Sequence, residues 1–401
     1  MRMPKKRGVY RMLMTVRTDW EYGRNMTLGA RHYAFTTGQI EVGNGSLQAG
    51  ESLEAVVRRQ AIDGVIAAAQ SREEEEQLLA LPVPAVNVSN VLGSPRLPLV
   101  TQDDRAVGRL AAEHLLACGC TTFAYWEQHD ARFSQERVRG FSGELERRMP
   151  DVTCIAGGGK SLALEEGPVL IARMRKWLKK LPPQTGVFAV LDPFALHLLQ
   201  AAREIGKRVP EDIAVLGAGD DEFWTDFENI PLSSVKLPAW QIGMEAAKLL
   251  ERLMHGGGTR SRQAGEATPE SPLQQHLPVT EVAARRSTDV LYAEDEAVTK
   301  AVAYIREHAA ENIYVENVVR ASGISRSGLQ RRFAASLGRS LLAEIQRERI
   351  ARVKTLLRTT EMKMTAVAEA CDFPNTPRLH VLFRQHTGQT PGEYRAMFRR
   401  R

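Results

Sequence analysis

Through the first 250 residues, short apolar runs alternate with stretches whose apolar residues recur three and four positions apart. "VYRMLMTV" reads as a strand, and "GRNMTLGARHYAF" follows with Met26, Leu28, Ala30 and Tyr33 at helical spacing. "LEAVVRRQAI" then predicts a helix, "DGVIAAA" a buried strand, "REEEEQLLAL" a helix and "PAVNVS" a strand. After "LPLVTQDD" the alternation resumes. It runs through the helix "RAVGRLAAEHLLACG", the strand "TTFAYWE", the helix "SQERVRGFSGELERR", the strand "GVFAVLD", the helix "FALHLLQAAREIG" and the strand "DIAVLGAG". Strands that are apolar on both faces and alternate with helices predict parallel sheets covered on both sides. So many units fit two doubly wound lobes better than one sheet. A ligand of such a domain belongs beyond the carboxyl ends of the strands, here in the cleft between lobes. "HGGGTRSRQAGEATPESP", residues 255–272, is a loop or linker by composition, and "LPVTEVAARRSTDV" predicts a last strand returning to the same domain.

From about Asp289 the pattern becomes helical throughout, and one layout occurs twice. "YVENVVRASGISRSGLQRRFAASLGRS" and "KMTAVAEACDFPNTPRLHVLFRQHTGQTP" each hold a short helix, a turn, and a second helix ending in Phe and a Gly cap. The short helices carry Val315, Val318 and Val319 in one and Val367, Ala368 and Cys371 in the other. The ends are Phe333 with Gly338 and Phe383 with Gly388. Between them "LLAEIQRERIARVKTLL" is a connecting helix with a basic outer face. The expected division is therefore 8–288 and 289–401, with two-helix motifs at about 315–337 and 365–386.

Charge sharpens this division. From Asp289 onward there are 19 Lys/Arg and 13 Asp/Glu, which is the chain's whole net charge of +6; the preceding residues hold 35 of each. A neutral large part joined to a basic small part implies a polyanion partner for the small part. No run approaches the ~18 apolar residues needed to span a bilayer. The basic start, interrupted by Arg11 and Arg17, lacks the apolar core of a secretory signal, so a cytoplasmic protein without a membrane partner is expected. Cys118, Cys120, Cys154 and Cys371 fit no disulfide framework or zinc spacing, and no H-x-x-x-H pair occurs; no metal and no cofactor are expected. "GGGKS" (157–161) imitates a phosphate loop, but the G-x-x-x-x-G-K-S pattern needs glycine where Cys154 stands. No elbow nucleophile appears, so no enzyme is expected.

Two helices joined by a tight turn can place the second in a DNA major groove. Ser325 can cap such a second helix, with Arg326, Ser327, Gln330 and Arg331 facing outward and Leu329 and Phe333 inward. These residues resemble the AraC/XylS family of transcription regulators over roughly 295–400. In the second motif the resemblance rests on Val367-Ala368, Asp372-Phe373, Leu379, Phe383-Arg384, Gly388, Thr390-Pro391 and Tyr394-Arg395. Asp372 stands where the family has a turn glycine, a position Asp tolerates because it can visit the left-handed region. The resemblance implies base contacts by Ser327, Gln330 and Arg331 from the first recognition helix and by Thr376 and Arg378 from the second. Arg326, Arg332, Arg349 and Arg384 are then expected on phosphates. Arg suits guanine O6/N7 and Gln adenine N6/N7.

The first part resembles the effector domain of LacI/GalR-type repressors, related to periplasmic sugar receptors. "GRLAAEHLLACG", "ERVRGFSGEL", "GVFAVLDPFALHLLQAAREIGKRVPEDIAVLGAGDD" and "PLSSVKLPAWQIGMEAAKLL" carry the likeness. The combination is that of the xylose-regulator (XylR) subgroup. The fold implied is an α/β two-lobed, type I periplasmic-binding-protein-like domain followed by an all-α tandem helix-turn-helix domain. Effector contacts are expected from Arg137 of an R-x-x-G motif, from Asp192 and from Asp220, with Trp20 and Trp126 as aromatic faces. The function implied is a sequence-specific, DNA-binding transcription activator controlled by a small sugar, xylose first. It would act as a homodimer, with RNA polymerase as a further partner. The rival readings are a cytoplasmic sugar receptor without gene control, and an enzyme domain fused to a DNA-binding tail.

Overall fold

The computed structural model describes residues 9–43, 51–160, 167–221, 225, 230–255, 273–289, 295–308, 311, 313–337, 339–387 and 389–398. The expected cap residues Gly338 and Gly388, and nearly all of the expected linker, lie outside the described residues. The chain divides into two units, Met1–Val290 and Leu291–Arg401.

The first unit opens with β1 (Tyr10–Thr15), α1 (Glu21–Thr37), β2 (Ile40–Val42), α2 (Leu53–Arg59), β3 (Gly64–Ala67), α3 (Arg72–Leu79), β4 (Ala85–Asn87) and β5 (Leu99–Gln102). It continues with α4 (Asp104–Ala117), β6 (Thr122–Gln128), α5 (Arg132–Arg148), β7 (Cys154–Gly159), α6 (Gly167–Leu178), β8 (Thr185–Ala189), α7 (Asp192–Glu204) and β9 (Ile213–Gly219). β10 (Ser233–Lys236), α8 (Ala239–Met254), β11 (Gln274–Leu277), β12 (Val282–Ala283) and a 3-10 turn, Arg286–Thr288, complete it. Two six-stranded sheets result, ordered β11-β5-β4-β3-β1-β2 and β12-β10-β9-β8-β6-β7. All pairings are parallel except β10 with β12. The chain crosses between sheets after β5, after β10 and after β11. The single returning strand expected from the sequence is thus two: Gln274–Leu277 joins the first sheet and Val282–Ala283 the second.

Each lobe is built on a close helix crossing that glycine makes possible. In the first, an added Cβ at Gly29 of α1 would lie 1.9 Å from Trp240 O, and one at Gly243 of α8 1.8 Å from Met26 O. In the second, Gly108 of α4 and Gly140 of α5 would meet Arg137 O at 1.8 Å and Arg105 O at 2.1 Å. No side chain fits either contact without parting the helices.

The second unit contains α9 (Glu296–Glu307), α10 (Val315–Ser322), α11 (Arg326–Leu337), α12 (Leu341–Thr359), α13 (Met364–Ala370), α14 (Thr376–Thr387) and α15 (Pro391–Phe398). Val298, Ala301, Ile305, Ile313, Val318, Leu329 and Phe333 form one core with Leu341 and Ile345 of α12. Ile350, Val353 and Leu357, further along α12, join Val367, Ala368, Cys371, Leu379, Phe383 and Tyr394 in a second core. One helix, about 28 Å long at ~1.5 Å per residue, therefore belongs to both cores.

Candidate effector cleft and nucleic-acid interface

The cleft is built where the strands of both sheets end. Gly108 and Gly140 let α4 and α5 approach, and that approach puts Arg137 beside the first turn of α4. The Arg137 side chain is 2% exposed; its Nε donates to Asp104 Oδ1 at 2.9 Å and its Nη1 to Val190 O, beyond β8, at 2.6 Å. Phe133 lies under the guanidinium, with Cζ 5.0 Å from the ring centre. The R-x-x-G spacing thus has a physical cause: its glycine makes the crossing that positions its arginine.

Asp104 also ties the lobes together. Its carboxylate accepts from Gln102 Nε2 at 2.8 Å and from Asn90 Nδ2 at 2.7 Å, while Tyr22 Oη donates to Gln102 Oε1 at 2.7 Å. Tyr22 and Asn90 come from the first lobe, Arg137 from the second. Phe133 N and Arg132 N donate to Asn90 O and Val91 O at 2.8 and 2.9 Å across the same gap. Burial pushes the Tyr22 phenol pKa well up, aided by the nearby Asp104 carboxylate, so it stays a neutral donor. Asn90 Oδ1 is buried and has no hydrogen-bond partner among the described residues, while its Nδ2 joins the network at Asp104.

Asp192 and Asp220 meet at the ends of β8 and β9. Asp192 is 3% exposed; Ser234 Oγ donates to its Oδ1 at 2.6 Å and Asp220 N to its Oδ2 at 2.6 Å. Burial raises its pKa to about 6, with the hydrogen bonds from Ser234 and Asp220 N pulling the other way. Both Asp192 oxygens thus shape the turn that presents Asp220. Asp220 sits at φ +60° and its Oδ1 accepts from Arg285 Nη1 at 2.6 Å. The neighbouring Asp221 reaches the other lobe, where its Oδ2 accepts from Glu21 N at 2.8 Å. A carboxylate at the amino end of α1 is favoured by the helix dipole and takes the place of a side-chain cap, which Trp20 does not supply.

Arg137, Asp192 and Asp220 are therefore gathered near the strand ends of the second lobe, while Trp20 is half-buried and stands next to Glu21, whose backbone N reaches Asp221. Trp126 is not among them. It is 1% exposed, edge-on to Trp177 at 5.2 Å, on the face of the sheet covered by α6. Its alternation with Phe123 and Tyr125 along β6 turns it into lobe packing, which corrects the expectation of a sugar platform. The glycines of "GGGKS" lie inside β7, where a Cβ at Gly157 would meet Trp177 at 2.6 Å and Trp126 at 2.8 Å. They admit tryptophans; Ser161 lies outside the described residues. Sequence reasoning missed Tyr22, Asn90, Gln102, Asp104, Asp221 and Arg285. Only the Asp pair of "TQDD" offered a signal, as a helix start, and there Asp103 is the cap, accepting from Ala106 N at 3.0 Å.

In the second unit, Gly323 closes α10 at φ +73° and Ser325 Oγ accepts from Gly328 N at 3.3 Å at the start of α11. Leu329 and Phe333 are fully buried, whereas Arg326, Ser327, Gln330, Arg331 and Arg332 are exposed. In the second motif Asp372 takes the left-handed turn at φ +55°, and Asn375 Oδ1 caps α14 by accepting from Arg378 N at 2.9 Å. Thr376 is half-buried; Arg378 and Arg384 are exposed. Arg326 pairs with Glu316 at 3.2 Å and Arg332 with Asp295 at 3.3 Å. Exposed pairs of this kind contribute about 0–1 kcal/mol, too little to withhold a guanidinium from a phosphate. Arg349 differs. It is held by an ion pair with Asp372 while its Nη2 donates to Ile313 O at 3.3 Å. It braces the two cores internally, which corrects its expected place on a phosphate.

These features define a class first: regulators with a two-lobed ligand domain and a helix-turn-helix end. Residues 112–288 match the periplasmic binding protein-like domain family and 318–397 a helix-turn-helix domain family. The xylose operon regulatory protein of Escherichia coli is 33% identical over 341 residues, 83% of each chain. That of Haemophilus influenzae is 30% identical over 348 residues, 84% of this chain and 86% of its own. The solved structure of the xylose-binding transcription activator xylR covers 98% of this chain and 99% of its own, with 28% identity and a TM-score of 0.67. The chain belongs to the family of xylose operon regulatory proteins, and is a transcription regulator.

Proposed function

We propose that this protein is a xylose-responsive transcription activator that binds DNA through α11 and α14 and acts by binding, without turnover of its ligand. The observation that carries the reading is the interlobe network of Tyr22, Asn90, Gln102, Asp104 and Arg137. It places hydroxyl-binding groups of both signs between the two lobes, among them Asn90 Oδ1, which has no hydrogen-bond partner among the described residues. A pentose offers adjacent donors and acceptors that suit a guanidinium beside carboxylates. The relatives' names support xylose as the first sugar to test and activation as the direction.

On the DNA side, Ser327, Gln330 and Arg331 read one major-groove segment and Thr376 and Arg378 the next, while Arg326, Arg332 and Arg384 contact phosphates. Sharing α12 spaces the two segments by about one helical turn of DNA, ~34 Å. The protein works in the cytoplasm as a homodimer that engages RNA polymerase at its promoter. Domain limits of 8–288 and 289–401 belong to the same reading. Thermal melts across a panel of pentoses and hexoses test the effector: only a sugar that binds the native state raises the melting temperature, and D-xylose is expected to raise it most. No shift with any sugar would contradict the sugar reading.

A further inference from the structure

Arg285 stands at the junction between the cleft and the end of the first unit. Its Nη1 donates both to Asp220 Oδ1 at 2.6 Å and to Leu232 O at 3.0 Å, and the Arg285 and Asp220 side chains are 15% and 8% exposed. Asp220 cannot drift from this pairing, because its N donates to Asp192 Oδ2 and to Ser234 Oγ at 2.6 and 3.0 Å. The Arg285 backbone is fastened as firmly: its N donates to Ser233 Oγ at 2.7 Å and its carbonyl accepts from the same hydroxyl at 3.0 Å.

Ser287 and Thr288 continue the fastening. Ser287 Oγ donates to Val215 O at 2.6 Å and accepts from Ser233 N at 2.8 Å. Thr288 Oγ1 donates to Ser233 Oγ at 2.7 Å and lies 2.7 Å from His114 Nε2. Ser233, Ser287 and Thr288 are buried. Two residues later the first unit ends, at Val290. Five residues of chain therefore separate a side chain that holds a cleft carboxylate from the boundary of the DNA-binding unit.

We propose that Arg285 is the positioning residue through which occupancy of the cleft reaches that boundary. The proposal rests on the reading of Asp220 as a sugar contact. A sugar hydroxyl that draws on the Asp220 carboxylate weakens or re-aims its hold on Arg285. The backbone of Arg285 then transmits the change into the turn Arg286–Thr288. A guanidinium suits this role because it bridges a carboxylate and a carbonyl at once, which an ammonium does less well.

Amide hydrogen exchange on the full chain, read at residues 286–289, tests this. In sugar-free protein, Arg285→Gln and Asp220→Asn should each speed exchange there by roughly tenfold, with Arg285→Lys falling between them and wild type. A β1 peptide should keep its rate, which separates local loosening from unfolding. D-xylose should change exchange at 286–289 in wild type and leave Arg285→Gln unchanged, a difference that a merely structural role would not produce. Wild-type exchange in Asp220→Asn, or a full xylose response in Arg285→Gln, would overturn the proposal. If no sugar shifts the wild-type melting temperature, the effector reading fails, while the sugar-free comparison of Asp220→Asn with wild type still decides whether Arg285 links the cleft to the turn.

Discussion

Asp192 illustrates how one residue's place fixes both its chemistry and its legibility. The family resemblance and its place after an apolar strand made Asp192 an expected effector contact, but nothing in the sequence showed that both oxygens would be taken by Ser234 and Asp220 N. Its raised pKa gives a signed prediction. Between about pH 4 and pH 6 the native state keeps a proton that the unfolded chain has released, so this group's contribution to stability falls as pH rises through that window. Asp192→Asn should remove that part of the slope, ~1–3 kcal/mol across the window, in thermal melts compared with wild type. Parallel curves would contradict the assignment. His114 acts oppositely: burial lowers its pKa to about 4, so its contribution is lost as pH falls from 6.5 toward 4. In α11, Arg331→Ala is expected to relax base preference at one operator position, costing ~1–3 kcal/mol there. Arg332→Ala should weaken binding to all sequences alike, and equal loss of discrimination from both in a mutated-operator panel would show the helix to be turned the wrong way.

At the scale of elements, periodicity located most of the strand-helix order and both motifs of the second unit, because those segments have one apolar face or two. Some elements it passed over lack that contrast: β2 and β11 are too short to show a period, and β7 hides its glycines beneath two tryptophans. Others do not: α6 and α8 bury Leu170, Met174 and Leu178, and Ile242, Ala246, Leu249 and Leu250, at helical spacing, and were still left unread. The lobes' close crossings are visible only as glycines in otherwise ordinary helices. Gly140→Val should part α4 from α5 and cost about 1–3 kcal/mol, with a weaker sugar-induced melting shift because Arg137 loses its place against Asp104. Arg349 was misread for a related reason: sequence shows a basic residue on a helix but not the carboxylate and carbonyl that capture it. Arg349→Ala should lower the melting temperature by the loss of a charged hydrogen bond, about 1.5–3 kcal/mol. It should also weaken binding to the two-segment operator more than to either half, since it removes the brace between cores. Loss of affinity with an unchanged melting temperature would return Arg349 to the phosphates.

At the scale of the whole molecule, the chain joins a neutral two-lobed receptor to a basic reader. Charge distribution and family resemblance were both visible in the sequence. What they could not give is the state of the cleft, because hydrogen bonds across a gap leave no periodicity. Asp104, Asp221 and the Asn90 and Val91 carbonyls make hydrogen bonds across the lobes here, so this arrangement has polar contacts of its own. A sugar controls transcription only if it binds this arrangement and an opened one with different affinity. The most direct test titrates the full chain against the duplex upstream of neighbouring sugar-catabolism genes, with and without saturating D-xylose, at several salt concentrations. The predicted result is an affinity change of about tenfold or more with sugar, a typical coupling of ~1–3 kcal/mol, and a steep loss of binding with salt in both states. Identical affinities with and without a sugar that demonstrably binds would contradict the account.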